Sequence, residues 1–336
     1  MTMAAPLIDD ARRCCEDALG TDAMQATARA LALEGVTPTL GVKFVENVTE
    51  NPATHTLLHE WKRALARRGA STDAAEVERL LLMQCALASL PRIPELPVAE
   101  DVKRLTCDEF CFFASEPAAA PQFDVSGNRF VGLCKTASLR RFRAGLFDWE
   151  VGGVSRSDVA AVSVTHLPRT LTFLYLRMRG LGPVFFSHLS PRRATPSLRE
   201  DEANRSYYRM AKSLELQPSI KGFAACSWFR SPGTHRVSPH LAWLSQVILD
   251  HGGLVVESGP VEPDCGVLAR SETRRRLYEA GKFRPTRGLV LWPRDAMIGW
   301  AAAHPEWAER SHAVSRPSSA APLTPGFLRY DREARG

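Results

Sequence analysis

The chain has no apolar run long enough to cross a bilayer, and Asp9 and Asp10 stand where a secretion signal would need a basic start and an apolar middle. Both absences point to a cytoplasmic protein that meets no membrane. No serine sits in the G-x-S-x-G turn of a hydrolase nucleophile, no segment repeats, and no recognisable nucleic-acid module surrounds the basic residues. Lysine is scarce, only seven of the 43 basic residues, an excess of arginine of the kind a GC-rich coding background produces. Disulfide spacing is missing too. The eight cysteines (14, 15, 85, 107, 111, 134, 226 and 265) are scattered through mostly apolar sequence, which reads as reduced, buried thiols.

What is present is an ordinary globular composition: 336 residues, 45% hydrophobic and 24% charged, enough to bury a full core. Length and punctuation divide the chain into a helical unit at 1–90, a linker with a short helix at 91–127, an α/β core domain at 128–310 and a flexible tail at 311–336. The tail is rich in Ser, Pro, Ala and Arg and holds too little apolar surface to order itself. In the helical unit, apolar residues recur at helical spacing over 9–33, 51–68 and 73–90, with Gly35 and the Thr37-Pro38 pair, Gly69 and Pro91 as stops and Asp73-x-x-Glu76 as a capping box. Pro91, Pro94 and Pro97 stiffen the linker, and 107–114 forms its helix.

From residue 128 the period becomes that of strands. Runs at 129–134, 139–149, 159–166, 171–178 and 184–188 are separated by Gly152-Gly153, Pro168-Arg169 and Gly180-Leu-Gly182-Pro183, and read as an antiparallel meander. A helix follows at 201–216, stopped by Pro218. Then strand and helix alternate: strand 220–229, helix 238–251 opened by Ser238-Pro239 and closed by Gly252-Gly253, strand 254–257, helix 271–282 ended at Gly281, strand 288–292 and a last helix to about 303. The fold class is α+β: an N-terminal helical unit, then a mixed, mostly antiparallel sheet with packed helices.

The segment Arg276-Leu277-Tyr278-Glu279-Ala280-Gly281-Lys282-Phe283-Arg284-Pro285 resembles the helix end of the acetyl-CoA-dependent N-acyltransferase (GNAT) superfamily, and elements 220–292 fall in that family's order. The resemblance implies an acyl-CoA co-substrate, a small amine acceptor and a thioester held where two strands splay, between those at Ala224 and Val256. It implies Tyr278 as proton donor and Glu257 as base or amine-binding carboxylate. Ala225 and Ser227 would line the thioester, and Arg230, Arg236 and the helix start at Ser238 would meet the phosphates. The family's glycine-rich Q/R-x-x-G-x-G/A turn is absent; Arg236-Val237-Ser238-Pro239-His240 stands there instead.

A second function class stays open beside it: a non-catalytic binding protein that keeps an enzyme-like core. Net charge +6 and basic groups at Arg140-Arg141-Arg143, Arg192-Arg193 and Arg274-Arg275-Arg276 raise nucleic acid as its partner, though a solvated basic face is the commoner meaning. The N-terminal helices offer a specificity or homodimer surface. His55 and His59 share a helical face but lack a third ligand, so no metal is expected. Cys107 and Cys111 share a face among phenylalanines. Cys226-Ser227 with His240 offer a nucleophile with a base, and His166 with His188 at strand ends an acid/base or metal site.

Overall fold

A computed structural model describes residues 4–48, 52–67, 74–115, 128–189, 198–261, 266–268 and 271–308. Helices come first: α1 (Ala4–Leu19), α2 (Asp22–Leu33), α3 (Pro38–Glu46), α4 (Pro52–Arg67), α5 (Ala74–Ser89), a 3-10 turn at Leu90–Glu95, α6 (Glu100–Ser115) and α7 (Asn128–Ala137). Two punctuation marks act differently from expectation. The periodic run at 9–33 is broken at Gly20 into α1 and α2. Thr37-Pro38 starts a helix instead of ending one, because Thr37 Oγ1 accepts from the Leu40 N–H at 3.2 Å and proline fills the first helical position. The proline stretch folds as the 3-10 turn and buries Leu90 and Ile93. The expected strand at 129–134 is α7, whose Phe130, Leu133, Cys134 and Ala137 are buried at helical spacing.

The second half supplies β1 (Arg141–Arg143), β2 (Phe147–Gly152), α8 (Arg156–Ala160), α9 (Leu167–Leu176), β3 (Val184–Leu189), α10 (Glu200–Glu215), β4 (Gly222–Ser227), α11 (Pro232–Val237), α12 (Trp243–Asp250), β5 (Leu254–Pro260), α13 (Glu272–Glu279), β6 (Thr286–Pro293) and α14 (Arg294–Ala303). The meander is thus shorter than expected, since the runs at 159–166 and 171–178 are not strands. Val159 and Val162 belong to α8 and the turn after it, and Val162 makes only an isolated bridge to Ser258. Pro168 opens α9, which buries Thr170 and Leu174, and Met178, just beyond its end, is buried at the same spacing of four.

Six strands form one sheet in the order β1-β2-β3-β4-β6-β5. Every pairing is antiparallel except β3 with β4, which α10 connects as a crossover. The α+β class is as the sequence indicates; the neighbours of β4 are not. β6, made last, inserts between β4 and β5, so the strands at Ala224 and Val256 never touch and no splay forms between them.

The sheet separates two cores. On one face Phe147, Trp149, Phe185, Phe223, Ala225, Val290 and Trp292 join a buried cluster that runs from Ile8 in α1 to Ala301 in α14. Tyr207 of α10 sits at its centre, stacked on Phe147 at 5.3 Å and edge-on to Trp292 at 5.6 Å. The other face is smaller and aliphatic: Val184, Ala224, Leu254, Val256, Leu289 and Leu291 under α8 and α9. Strand alternation therefore decides which core each site residue borders.

Helix ends are fixed by glycine where the sequence says so. Gly281 lies at φ +68°, its N–H reaches Tyr278 O and the Lys282 N–H reaches Leu277 O, which is a Schellman stop; Phe283 then turns into the protein. This geometry accounts for the Leu277–Phe283 signature on local grounds alone.

Candidate functional site where two parallel strands diverge

β3 and β4 pair at three positions, Phe185 with Phe223, Phe186 with Ala224, and Ser187 with Ala225. Beyond that they part. His188 and Leu189 stay paired to Asp148 and Phe147 of β2, while Cys226 and Ser227 stay paired to Leu289 and Gly288 of β6. Each strand keeps its outer neighbour and loses its inner one, so a wedge opens in mid-sheet with backbone amides on both walls. Such an opening accepts an extended, amide-bearing chain as an added strand would be accepted.

One rim of the wedge, on the side of the aliphatic core, is ionic. Glu150 of β2 receives Lys135 of α7 at 3.0 Å, Arg141 of β1 at 3.3 Å and His188 Nε2 at 3.2 Å. Burial pushes the Glu150 carboxyl up, but the His188 hydrogen bond and the Arg141 and Lys135 charges outweigh it and hold its pKa at about 2. His188 is about one-third exposed and rests on Phe186. Across the wedge on the same face, Asp158 pairs with Arg287 at 2.9 Å, and burial, with Asp158 adding to it, pushes the Cys226 thiol up to about 12. Cys226 is therefore a protonated thiol at neutral pH and a poor nucleophile. Ser227 faces the opposite core, so the two adjacent residues do not act together.

On that opposite face, the hydroxyls of Ser187 and Ser227 and the Trp149 Nε1–H are buried and have no hydrogen-bond partner among the described residues. Ser187 is the last residue of β3 paired with β4, and Trp149 is its neighbour on β2. Buried donors left without acceptors each cost on the order of 1–3 kcal/mol, a cost that a ligand oxygen would relieve.

The residues named from sequence fall in three places. Ala225 and Ser227 stand at the wedge. Glu257 lies on β5, two strands from Ser227 across Gly288, and is ion-paired with Arg236 of α11 at 2.8 Å; Arg236 is 71% exposed. Tyr278 is exposed on α13. Arg230 is different. It is 1% exposed, donates to the Tyr207 hydroxyl at 2.8 Å and the Leu244 carbonyl at 3.3 Å, and lies 4.7 Å above the Phe147 ring. It braces the aromatic core and faces no phosphate. Ser238 is buried and accepts from Arg274 at 2.9 Å; Pro239–Leu241 is only a 3-10 turn, with α12 starting later, so no long helix begins at Ser238.

The crossover helix α10 begins with Glu200, Asp201 and Glu202. They suit its own dipole and make that first turn a poor seat for an anion. The arginine groups are largely engaged: Arg143 pairs with Glu109, Arg274 is buried, and Arg275 and Arg276 pair with Glu272. Arg192, Arg193 and the 311–336 tail lie outside the described residues, as does Cys265. His166 precedes α9 and does not end a strand; His188 does. His59 is exposed on α4, and no group of three or more metal-ligating side chains occurs among the described residues. No described helix is long and apolar enough to cross a membrane.

The sequence reading missed Glu150 as a partner for His188. Asp148-Trp149-Glu150 places two carboxylates on one face of a strand whose other positions are aromatic, a usable signal, but the partners are 38 residues apart and share no local motif.

No family model and no curated protein matches the chain. Among solved structures, an acyltransferase in complex with decanoyl-CoA is similar to it, at 13% identity and a TM-score of 0.46 over 85% of this chain and 99% of that one.

Proposed function

We propose that this protein is an acyl-CoA-dependent N-acyltransferase acting on a small amine. The observation that carries the proposal is the wedge between β3 and β4, where the only parallel pairing of the described sheet gives out and two strand edges are left for an extended ligand. A pantetheine arm carries two amides at strand-like spacing and suits those edges. Ala225 and Ser227 line it, and Arg236, on the exposed rim beside Glu257, is the cation assigned to the phosphate end. The acidic first turn of α10 supplies no such contact.

Transfer needs the amine nitrogen to attack the thioester carbon, the carbon–sulfur bond to break, one proton to leave the nitrogen and one to reach the departing sulfur. His188, held by Glu150 at the mouth of the wedge, is the group we assign to take the amine proton. Glu257, on β5 and ion-paired with Arg236 at 2.8 Å, is assigned to hold that cation in place at the phosphate end, and Tyr278 is assigned to return a proton to the thiolate.

Calorimetric titration with acetyl-CoA, a longer acyl-CoA and a short duplex DNA at physiological salt tests the reading. Binding of either thioester, weakened about tenfold in Arg236→Ala, is the expected result, and His188→Gln should retain it while amine-dependent thiol release falls at least a hundredfold. Absence of heat with both thioesters overturns the assignment, and heat with DNA alone makes the protein a basic binding module.

A further inference from the structure

α1 and α6 pack along one another, and at one point of that contact two thiols meet: Cys14 Sγ lies 2.8 Å from Cys111 Sγ, across 97 residues of sequence. That separation is about 0.8 Å more than a disulfide bond of roughly 2.05 Å. Both side chains are half-buried, so solvent reaches them, whereas Cys15, Cys85, Cys107 and Cys134 are buried. The flanking residues fix the pair. Ala11 and Cys15 are buried on the same side of α1, the Cys15 thiol donates to Phe110 O, and Phe110 and Phe113 anchor α6 in the core, so neither sulfur can drift far from the other.

We propose that Cys14 and Cys111 form an oxidation site that takes a low-molecular-weight disulfide such as oxidised glutathione as its reactant. Burial and the neighbouring Cys14 push the Cys111 thiol up, so Cys14 attacks first: its thiolate attacks the glutathione disulfide, forming a mixed disulfide and releasing one glutathione thiolate. The second cysteine thiolate then attacks the protein sulfur of that mixed disulfide and expels the second glutathione. Two protein thiols lose two protons and two electrons, and one disulfide is reduced to two thiols. The product staples α1 to α6, and through the ion pair of Glu109 with Arg143 the staple reaches edge strand β1. This site is separate from the wedge and does not rest on the acyltransferase reading.

The test uses the full chain incubated with oxidised glutathione, quenched with N-ethylmaleimide and digested with trypsin without reduction. Expected are a loss of two free thiols and a linked pair of peptides, one starting at Cys14 and the other at Leu105. The link should survive in Cys15→Ala/Cys107→Ala and vanish in Cys14→Ser and in Cys111→Ser. The oxidised wild-type protein should melt higher, on the order of 5 °C, and return to its starting value with dithiothreitol. Glutathione remaining attached to Cys14 or Cys111 in the wild-type protein, with no linked peptides, overturns the proposal, and so does a link that persists in Cys14→Ser.

Discussion

The two ends of β4 lie five residues apart and are built on opposite terms. At Gly222 the strand is enclosed: φ is +149°, and a Cβ would stand 2.3 Å from Trp292 O and 2.9 Å from the Arg294 amide. At Ser227 the strand has lost its inner neighbour, and its hydroxyl has no partner among the described residues. A break in mid-sheet pairing is therefore made without a loop. One end of a strand is clamped by backbone while the outer strands carry the other end apart, and the buried Arg230 just beyond Ser227 holds the turn that β4 runs into.

Breaking the clamp should cost most. Gly222→Ala forces a methyl into the Trp292 carbonyl at an unfavourable φ, with an expected loss of about 3 kcal/mol or more in urea denaturation; a wild-type midpoint would show that the enclosure is not tight. Next comes Arg230. Arg230→Ala empties a space among four aromatic rings and should lose about 3 kcal/mol, whereas Arg230→Met refills it and leaves Tyr207 its own bond to Leu244 O, for a loss of about 1 kcal/mol. Equal losses in both would assign the stabilisation to charge instead of packing.

At the open end effects should be smaller. The folded pKa of Glu150, about 2, is below its ordinary value of 4.5, so its stabilisation is complete above pH 4.5 and is lost as pH falls toward 2. Glu150→Gln should remove that part of the acid-unfolding profile, flattening it by about 2 kcal/mol; an unchanged slope would place the acid sensitivity elsewhere. Ser227→Ala should alter stability least, by about 1 kcal/mol or less, since it removes a buried hydroxyl that has no partner among the described residues. Its expected signature is weaker acyl-CoA binding at an unchanged melting temperature, and undiminished binding would move the ligand away from β4.

Much of the second half was readable in sequence because local chemistry and tertiary place agree there. Pro218 and Gly281 stop their helices, and the apolar runs at 220–229 and 288–292 are interior strands. Reading failed where an apolar run satisfies both periods. Phe130 to Ala137 and Leu167 to Leu176 are apolar enough in sequence to look like strands, although Leu171, Tyr175 and Leu176 are exposed, and only the spacing of the buried residues betrays the helix. For the candidate site, the sequence puts Ala225 and Ser227 near the end of β4 but sets that strand beside β5, because sequence order does not reveal that β6 inserts between β4 and β5. Arg230 looked like a phosphate ligand since a turn arginine is normally exposed, and nothing nearby in the chain announces Tyr207 or Phe147 as its partners. The link of His188 to Glu150 depends on β2 and β3 register, which the intervening α8 and α9 conceal.

The position of β6 bears on how a ribosome delivers this protein. The last of the described strands is an interior one, so until residue 293 has emerged both β4 and β5 present bare edges to the cell. A nascent chain released or stalled before that point would carry two sticky strand borders at once. Every copy thus passes through an interval in which a chaperone or a neighbouring chain competes with its own C-terminal segment for the same seat.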